Sequence, residues 1–582
     1  MKQTALVVFG EELPRGWQSG NPYDIVVASE QLRSQVQAAG LEWEDIETFV
    51  EPGSIYEASA FAEELSRLTL PNGSRITKSC VYKGYELWWM NYNNLFHYFC
   101  LPYTQYKKLL MHLGDFKNVY FYRAPYASLF SCYLQARRSK VTVLPERGLR
   151  SPAALPFGVL LQILLTLISL PILVIQRHRL MVFTGDKFEK DRDYDFRLKF
   201  IYEELRRKNT PFVEFIRGLE PWRMVVRHAF TRGRPVVYSE AVAFIGRFIS
   251  ILSGGQFRAR REFGPHLFST EDDTENRFKQ SVAMQYLLTA YDDIWAIRIM
   301  KWILRITGVK AAFVPAALER NFHTVLGCKL NTIPIVGILH GVSSCHYNIY
   351  DFMPGFDGEK SMSVDIYGLW SEWWREYYLK NSSAYKPEQF HVSGPMRPLE
   401  LKNRNPDARA SEPTGRLKVL FIGEQLGYPT EVLPYLLKLL ETEDIDLHIK
   451  FRFYRDSFEE WLKRNHPELL TGRKILRGNM QEAISLCDVA VGSHSTAVLE
   501  ALLQLKPVVF YDTQKWGDYY ELNEYDKAHS FFAESPEELI QKIHKTRSVS
   551  VETLKDLQTR YFGDPYQNGS AWVVAELEKF LR

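Results

Sequence analysis

A glycine–serine turn in the C-terminal third of the sequence has the residue types that bind a phosphate. Gly492 ends an apolar, strand-like run, and Ser493, His494, Ser495 and Thr496 follow it. The apolar spacing after the turn predicts a helix, so backbone N–H groups and hydroxyls would meet at its positive end. This pattern predicts a site for a phosphate or diphosphate. The same residues are also good helix caps, so a purely structural role stays open.

The helix after this turn carries an acidic residue, Glu500, one helical turn beyond Thr496. A carboxylate beside a bound nucleotide can accept hydrogen bonds from ribose hydroxyls, as it does in dinucleotide-binding folds. Pro507 ends the helix, and the apolar residues 508–511 begin another strand. The segment is therefore predicted to be a strand–helix–strand unit whose turn meets a nucleotide.

Two basic residues end a predicted strand of the same region. Alternation puts Lys450 and Arg452 on one face at the carboxyl end of the strand, where open α/β sheets bind ligands. Cations there would neutralise a diphosphate leaving group, although a basic, solvated strand end would look the same. Gly423 follows the preceding strand and takes the matching position for the approach of a nucleotide.

An imidazole stands at the end of another predicted strand. His340 follows the apolar run 333–339 and precedes Gly341, which lets the backbone turn. The strand end would project the imidazole into a cleft, where its pKa suits it to deprotonate a sugar hydroxyl. A histidine in this place can equally be structural. Glu319 and His346 flank the same strand and are the next candidates for a general base.

The turn and its helix resemble the donor-nucleotide motif of GT-B glycosyltransferases. That motif has a Gly/Ser-rich turn, a helix with a glutamate one or two turns in, a proline and an apolar strand. The resemblance implies two Rossmann-like domains that face a cleft and a nucleotide-activated sugar as donor. It also implies that positive helix ends and basic side chains, without a metal, stabilise the leaving diphosphate. The matching residues are Gly492, Ser493, Ser495, Thr496, Glu500 and Pro507.

The region around His340 resembles polysaccharide-assembly transferases, which include capsule or sialyltransferase-like enzymes and CDP-glycerol glycerophosphotransferases. The shared elements are His340 with its glycine, a Tyr-rich loop at 347–350, a Trp-Ser-Glu element at 370–372 and a turn at 394–397. The last turn departs from the residue order of the family, so Arg397 is a secondary candidate. The resemblance covers about 310–515 and implies that His340 is the general base, on the domain that faces the donor.

Metal chemistry has one competing signal. Asp191 and Asp193 have the Asp-x-Asp spacing of metal-dependent transferases, but they lead into a predicted helix, where acidic residues favour the helix dipole. The sequence has no Walker loop, no His-Glu-x-x-His and no Cys/His zinc spacing. We therefore expect neither a metal site nor an organic cofactor.

Composition limits the class of protein. The 582 residues are too many for one core and predict two or three domains. Lys and Arg number 72 against 69 Asp and Glu, which gives no reason to expect nucleic acid as a partner. The six cysteines are scattered and suggest no disulfide framework, so a reducing cytoplasm is the default.

One segment, residues 151–176, carries no charge and is almost wholly apolar. Its length suits a membrane span, which needs ~20 residues. Pro171 falls inside it, however, and both flanks are basic, which gives no clear orientation. It could dip into the inner leaflet, span the membrane or be buried in protein. We favour the first, because both flanks look like cytoplasmic α/β structure. This predicts a peripheral or monotopic protein at the cytoplasmic face of the inner membrane.

The pattern predicts an α/β fold of the GT-B type. In such folds the last helix packs back on the N-terminal domain. The predicted parts are an N-terminal Rossmann-like acceptor domain at 1–400 with the membrane-associating segment 151–176 and a helical insertion at 185–308, a linker at 401–416, a C-terminal donor domain at 417–565 and a last helix at 566–582.

Together these features favour a glycosyltransferase of surface-polysaccharide assembly. It would move a sugar from a nucleotide-activated donor to a saccharide or lipid-linked acceptor. The closest rival is a CDP-alditol polyol-phosphate transferase of the same fold. A nucleotide-sugar 2-epimerase shares the fold but would not need a membrane segment. A non-catalytic membrane-bound scaffold is the remaining alternative.

Overall fold

The structure is a computed structural model, and the residues that it describes form three separate parallel sheets and one small antiparallel ribbon. The sequence predictions on Glu319, on Asp191 and Asp193, and on most of the 401–416 linker lie outside the described residues. The described residues are 3–17, 23–144, 154–184, 198–218, 222–232, 234–267, 273–315, 322–341, 344–399, 415–424, 426–452, 456–526, 528 and 530–582.

The first domain, residues 3–144, is a Rossmann-like unit with the sheet order β3-β2-β1-β6-β7. Alternate residues of β1 enter two cores: Ala5 and Val7 face one, and Leu6 and Val8 face the other. A strand that is buried on both faces reads as an unbroken apolar run. The strands are β1 (Thr4–Val8), β2 (Ile25–Ala28), β3 (Glu42–Asp45), the ribbon β4 (Val81–Tyr82) and β5 (Tyr85–Glu86), β6 (Asn118–Tyr122) and β7 (Lys140–Leu144). The helices are α1 (Arg33–Ala38), α2 (Ile55–Ser66), α3 (Tyr92–Leu95), α4 (Leu101–Leu113) and α5 (Ala127–Ala136).

The second domain, residues 154–399, has a seven-stranded parallel sheet in the order β10-β9-β8-β11-β12-β13-β14. The strands are β8 (Leu180–Thr184), β9 (Phe212–Ile216), β10 (Val236–Tyr238), β11 (Ala311–Phe313), β12 (Ile335–Ile338), β13 (Ile366–Leu369) and β14 (Phe390–Val392). The helices are α6 (Ala154–Gln176), α7 (Lys199–Arg207), α8 (Trp222–Arg232), α9 (Ser239–Leu252), α10 (Gly255–Leu267), α11 (Thr274–Leu287), α12 (Ala290–Thr307), α13 (Phe322–Lys329), α14 (Ile349–Phe352) and α15 (Glu372–Asn381).

The third domain, residues 415–565, has a six-stranded parallel sheet in the order β17-β16-β15-β18-β19-β20. Counted within the domain, this is the 3-2-1-4-5-6 order of dinucleotide-binding folds. The strands are β15 (Leu417–Ile422), β16 (Ile445–Lys450), β17 (Lys474–Ile475), β18 (Val489–Gly492), β19 (Val508–Tyr511) and β20 (Phe532–Ala533). The helices are α16 (Pro429–Glu441), α17 (Ser457–Asn465), α18 (Met480–Ser485), α19 (Thr496–Leu499), α20 (Leu522–Tyr525), α21 (Pro536–Lys545) and α22 (Val551–Phe562).

Two predicted boundaries differ from the structure. Residues 1–400 contain two Rossmann-like sheets instead of one, because β8 begins a new sheet and does not pair with β7. The supposed helical insertion 185–308 contributes β9 and β10 to the second sheet. These short strands lie between amphipathic helices, whose periodicity dominates the sequence pattern of the segment.

The last helix, α23 (Gly569–Lys579), crosses from the third domain to the second. Asn568 caps it by accepting a hydrogen bond from the N–H of Ala571 at 3.0 Å. Val573, Val574 and Leu577 enter the core under β11 and β12. The chain end therefore belongs to the core of the second domain.

The apolar helix α6 lies along the edge strand of the second sheet. Thr166 and Ser169 accept hydrogen bonds from the backbone N–H groups of Tyr238 and Val236 on β10, at 3.1 and 3.2 Å. Gln162 donates to the carbonyl of Gly218 at 3.0 Å. The polar side chains of α6 therefore cover an otherwise open sheet edge, and its apolar side faces outward. In the described chain, the part from Phe157 to Gln176 is the one helix apolar and long enough to cross a membrane, and 39% of it is buried.

Candidate active site

The turn after β18 is built as a helix start. Ser495 caps α19, because its side chain accepts a hydrogen bond from the N–H of Ala497 at 3.3 Å. The α-helix runs only to Leu499 and continues as a 3-10 helix to Gln504. Leu505 ends it in the left-handed conformation, with φ at 53°. The helix predicted from the sequence is thus present in two short parts.

The protein's own carboxylate occupies the backbone N–H groups of this turn. The N–H of Ser493 donates to Glu424 Oε1 at 2.9 Å, and the N–H groups of His494 and Ser495 bond the same carboxylate. Glu424 is 1% exposed, and burial raises its pKa to about 7 although the three N–H groups act in the opposite direction. The sequence predicts that a phosphate binds at this turn, but in the structure a residue that follows β15 occupies the N–H of Ser493.

Gly492 is needed for this arrangement. A Cβ at this position would lie 2.9 Å from Glu424 Oε1 and 2.6 Å from Val498 Cγ2, both too close for a carbon atom. Gly423 has a similar role on the neighbouring strand, since a Cβ there would lie 2.7 Å from the ring of Phe451. Both glycines, which the sequence places in the donor site, thus allow close packing beneath the turn.

His494 points back into the protein. Its ring stacks on Trp516 with centroids 3.8 Å apart, and its Nδ1 lies 2.9 Å from Ser493 Oγ and 3.3 Å from Glu424 Oε2. Burial holds the pKa of His494 well below its usual value, and the charges of Lys515 and Arg452 add to this. Through its stacking on Trp516, the histidine holds the turn against the loop that follows β19.

The cations are divided between two places. Lys450 is 5% exposed and donates to the carbonyl of Gly478 at 2.9 Å, so it serves the loop after β17 and not the turn. Burial lowers its pKa. Arg452 is exposed, and its charge acts on His494, as does that of Lys515. Burial lowers the pKa of Lys515 to about 8. The ammonium of Lys515 donates to the carbonyl of Leu426 at 2.7 Å. Arg452 and Lys515 are therefore two cations whose charges act on His494 in the turn.

Glu500 and Arg397 meet across the boundary between the third and second domains. Arg397 Nη1 lies 3.7 Å from Glu500 Oε1, and the carboxylate side chain is 13% exposed. Burial raises the pKa of Glu500, and Arg397 opposes this. Glu500 and Arg397, which the sequence predicts separately as site residues, are thus neighbours.

His340 follows β12 and reaches the boundary between the same two domains. The N–H of Leu339 donates to the carbonyl of Gly368 at 2.8 Å, which fixes the strand end. A Cβ at Gly341 would come 3.9 Å from Thr496 Oγ1, so the His340–Gly341 segment lies directly against the start of α19. The residue that follows the general-base candidate therefore lies beside the donor turn. 

His346 lies elsewhere. Its ring contacts Tyr56 of the first domain with centroids 4.5 Å apart, and burial lowers its pKa. Its N–H donates to Ser344 Oγ at 3.2 Å. The third base candidate, Glu319, is outside the described residues.

All three domains meet beside the turn. Tyr347 of the second domain packs edge-on against Trp516 of the third, with centroids 4.8 Å apart. The N–H of Ser344 donates to the hydroxyl of Tyr519 at 3.2 Å. From the first domain, the N–H of Ile55 donates to the carbonyl of Lys515 at 3.2 Å. The loop after β19 thus connects the turn to both other domains.

The sequence prediction missed Glu424, Lys515 and Trp516. Glu424 follows the carboxyl end of β15, and Lys515 and Trp516 follow that of β19, the strands on either side of β18 in the third sheet. Open α/β sheets bind ligands at this edge. Listing the residues just after each predicted strand would therefore have found them.

Metal coordination has no support in the described part of the chain, where no group of three or more His, Cys, Asp or Glu side chains could hold an ion. Asp191 and Asp193 are outside that part.

No protein-family model matches the chain. No curated protein matches it either. Among solved structures, it is similar to UDP-GlcNAc 2-epimerase from Neisseria meningitidis bound to UDP-GlcNAc, with 12% identity, 69% of this chain and 99% of that chain covered, and a TM-score of 0.39. It is also similar to MurG of Acinetobacter baumannii (11%, 69% and 99%, 0.38) and to the glycosyltransferase of kitacinnamycin (11%, 69% and 98%, 0.40).

The class of fold follows from the sheets themselves. The second and third domains are parallel Rossmann-like units that meet at His340–Gly341 and Thr496, which is the GT-B arrangement. The first domain is a further Rossmann-like unit beside them.

Proposed function

We propose that this protein is a glycosyltransferase that moves a sugar from a nucleotide-activated donor to a saccharide or lipid-linked acceptor in surface-polysaccharide assembly. The observation that carries the proposal is the proximity of Gly341 to the start of α19, where a Cβ at Gly341 would lie 3.9 Å from Thr496 Oγ1. It joins the carboxyl-edge loops of two Rossmann-like sheets, the position at which such sheets bind nucleotides.

The donor diphosphate would be stabilised by side-chain cations. Glu424 already takes the three N–H groups of the turn. Arg452 and Lys515 act at the same place and would meet the negative charge of the leaving diphosphate. Glu500, oriented by Arg397, would accept hydrogen bonds from the ribose hydroxyls.

His340 would act as the general base. It would accept the proton of the acceptor hydroxyl as that oxygen attacks the anomeric carbon and the bond to the nucleotide diphosphate breaks. The electron pair of that bond leaves with the diphosphate, whose charge the cations then balance.

Membrane contact is part of the proposal. The outer side of α6 exposes Leu160, Leu164, Leu167 and Ile168 by 52–61%, whereas its inner side is bonded to β10. A helix tied to a sheet edge along its length lies on the leaflet surface and does not cross it. We propose that α6 holds the enzyme at the cytoplasmic face of the inner membrane.

A nucleotide panel tests the proposal. Saturating donor nucleotide at about 100 times its Kd should stabilise the protein by about 2.7 kcal/mol, which is read as a rise in melting temperature. Release of a nucleotide diphosphate with transfer to an acceptor is the expected turnover. Release of CMP would instead favour the CDP-alditol transferase or a CMP-linked sugar donor. Isomerised sugar without transfer would indicate an epimerase, and binding without turnover would indicate a scaffold.

A further inference from the structure

The exposed apolar side chains are concentrated in one part of the second domain. The described residues expose 26 large apolar side chains, and 14 of these lie between Phe157 and Phe257. Soluble surfaces scatter such residues singly, so a concentration of this kind marks an interaction surface. They are Phe157, Leu160, Leu164, Leu167, Ile168, Ile172 and Ile175 on α6, Trp222 and Met224 on α8, Phe244, Phe248, Ile251 and Leu252 on α9, and Phe257 on α10.

Half of this surface does not belong to α6, the segment that the sequence singles out. Helix α9 packs against both α6 and α12. Its inner side is fixed by close packing, because a Cβ at Gly246 would lie 2.6 Å from the backbone nitrogen of Ala296. The opposite side carries Phe244, Phe248 and Ile251, spaced by one and two helical turns. Helix α9 therefore presents a second apolar stripe beside that of α6.

The corner between α9 and α10 is the most exposed apolar point of the second stripe. Leu252 is 72% exposed and Phe257 is 70% exposed. Gly254, with φ at +67°, turns the chain between them. Two large apolar side chains are thus held outward on a tight turn, where no described element covers them.

Charge distinguishes between the possible occupants of this surface. Residues 222–267 contain eight Arg and no Lys against two acidic residues, Glu240 and Glu262, an excess of six positive charges. Arg247, Arg260 and Arg261 are exposed. A second copy of the chain, docked through the same face, would bring this excess against itself. An anionic lipid surface complements it.

We propose that the α9–α10 corner inserts into the interface of an anionic phospholipid leaflet, next to α6, and that the arginines beside it bind the lipid headgroups. The proposal rests on the membrane contact proposed for α6 and not on the sugar-transfer reaction. In this proposal the membrane contact is a broad face made of several helices. Such a face fixes the tilt of the enzyme on the leaflet, whereas a single helix would not.

Vesicle flotation of the full-length protein tests this, with vesicles of phosphatidylethanolamine either alone or mixed with phosphatidylglycerol. Leu252→Glu with Phe257→Glu should raise the lipid concentration for half-binding at least tenfold, since both side chains lose apolar burial. Val81→Glu with Met111→Glu is the matched control, because these exposed residues lie on the first domain. The control should bind as the wild type does.

The arginines are tested separately. Arg260→Gln with Arg261→Gln should weaken binding about tenfold or more, and on phosphatidylglycerol vesicles only. The difference from the wild type should be smaller at high salt, which screens the charges. Arg464→Gln with Arg473→Gln, two exposed arginines of the third domain, is the control. Wild-type protein that binds both kinds of vesicle equally would overturn the headgroup assignment.

If the Leu252/Phe257 variant binds vesicles as tightly as the wild type does, the proposal is wrong. If Leu164→Glu with Ile168→Glu loses binding in the same assay, the membrane contact of α6 is still supported. If the wild type is a dimer in the absence of vesicles and the Leu252/Phe257 variant is a monomer, the face binds a second copy of the chain. This result would also overturn the proposal. Should that variant not fold, Phe257→Cys labelled with a polarity-sensitive dye replaces it. A blue shift on addition of vesicles is expected, and an unchanged spectrum would refute insertion.

Discussion

Glu424→Gln is the substitution that most directly probes the turn of the candidate site. The carboxylate of Glu424 accepts hydrogen bonds from the N–H groups of Ser493, His494 and Ser495. Glutamine keeps the size and one carbonyl acceptor but does not ionise. The substitution therefore separates the charge of the group from its shape.

The structure gives the magnitude and the sign of the effect. Burial raises the pKa of Glu424 from 4.5 to about 7. A raised carboxyl pKa stabilises the closed turn, in which Glu424 is buried, relative to an open turn, in which Glu424 is hydrated. This stabilisation is fully present below pH 4.5. It is lost as the pH rises through 7, because the hydrated carboxyl of the open turn then ionises more readily. The loss is about 3 kcal/mol, or roughly 300-fold in the opening equilibrium, at 1.36 kcal/mol per pKa unit.

Hydrogen–deuterium exchange of the whole protein measures this locally. After correction for intrinsic exchange rates, the protection of the N–H groups in 493–495 should fall by up to roughly 300-fold between pH 4 and pH 8 in the wild type. In Glu424→Gln it should be nearly constant. Glu431→Gln is the matched control, because the pKa of Glu431 is also raised to about 7 but its carboxylate bonds the N–H groups of Gln514 and Lys515. Equal pH slopes in the wild type and the Glu424 variant would refute the reasoning.

Three further predictions concern catalysis, donor binding and the membrane. His340→Ala should lower kcat by about 10²–10⁴-fold with the donor Kd and the melting temperature little changed, and near-normal turnover would eliminate His340 as the base. Glu500→Gln should weaken donor binding by roughly 1–3 kcal/mol in calorimetry without unfolding, and an unchanged Kd would assign Glu500 to its ion pair with Arg397 alone. Leu164→Glu with Ile168→Glu should release the protein from sedimented membranes. Both residues are more than half exposed, so the melting temperature should hold. Protein that is monodisperse without detergent in its wild-type form would argue against α6 as a membrane contact.

The prediction for His340 has a control in the same region, and the two cations of the third domain can be compared with each other. His346→Ala removes an imidazole that contacts Tyr56 and not the start of α19, so it should leave kcat close to normal. Lys450→Gln removes a cation bonded to Gly478, and it should affect donor affinity less than Arg452→Gln.

Local patterns were sufficient for the third domain. The strand–turn–helix–strand unit at 489–511 depends on apolar runs, a capping serine and Pro507, all close in sequence. The contact of Glu424 with the turn could not be predicted from local patterns. Its partner Ser493 is 69 residues distant in sequence, and the contact depends on parallel pairing of β15 with β18. The glycine at 492 is explained only once that contact is known.

Long-range pairing also explains the errors in the N-terminal half. Nothing in residues 1–400 marks that β8 starts a second sheet, because each strand has the same apolar character whichever neighbour it pairs with. The side of α6 that packs on protein, in contrast, can be inferred from the sequence. Gln162, Thr166 and Ser169 are spaced by four and three residues and so share one helical face. A polar stripe on an otherwise apolar helix indicates that protein, and not lipid, lies on that side.

The first domain has a mechanical consequence for the cleft. It is bonded to the second domain through Asn91 and Asp293, at 3.0 Å, and to the third through Ile55 and Lys515, at 3.2 Å. The second and third domains therefore do not form a free two-body hinge. Widening the gap at Thr496 must either detach Ile55 from the loop after β19 or carry the first domain along with it. If the chain binds a nucleotide as proposed, the barrier to its release would be set partly by an interface that the nucleotide does not touch.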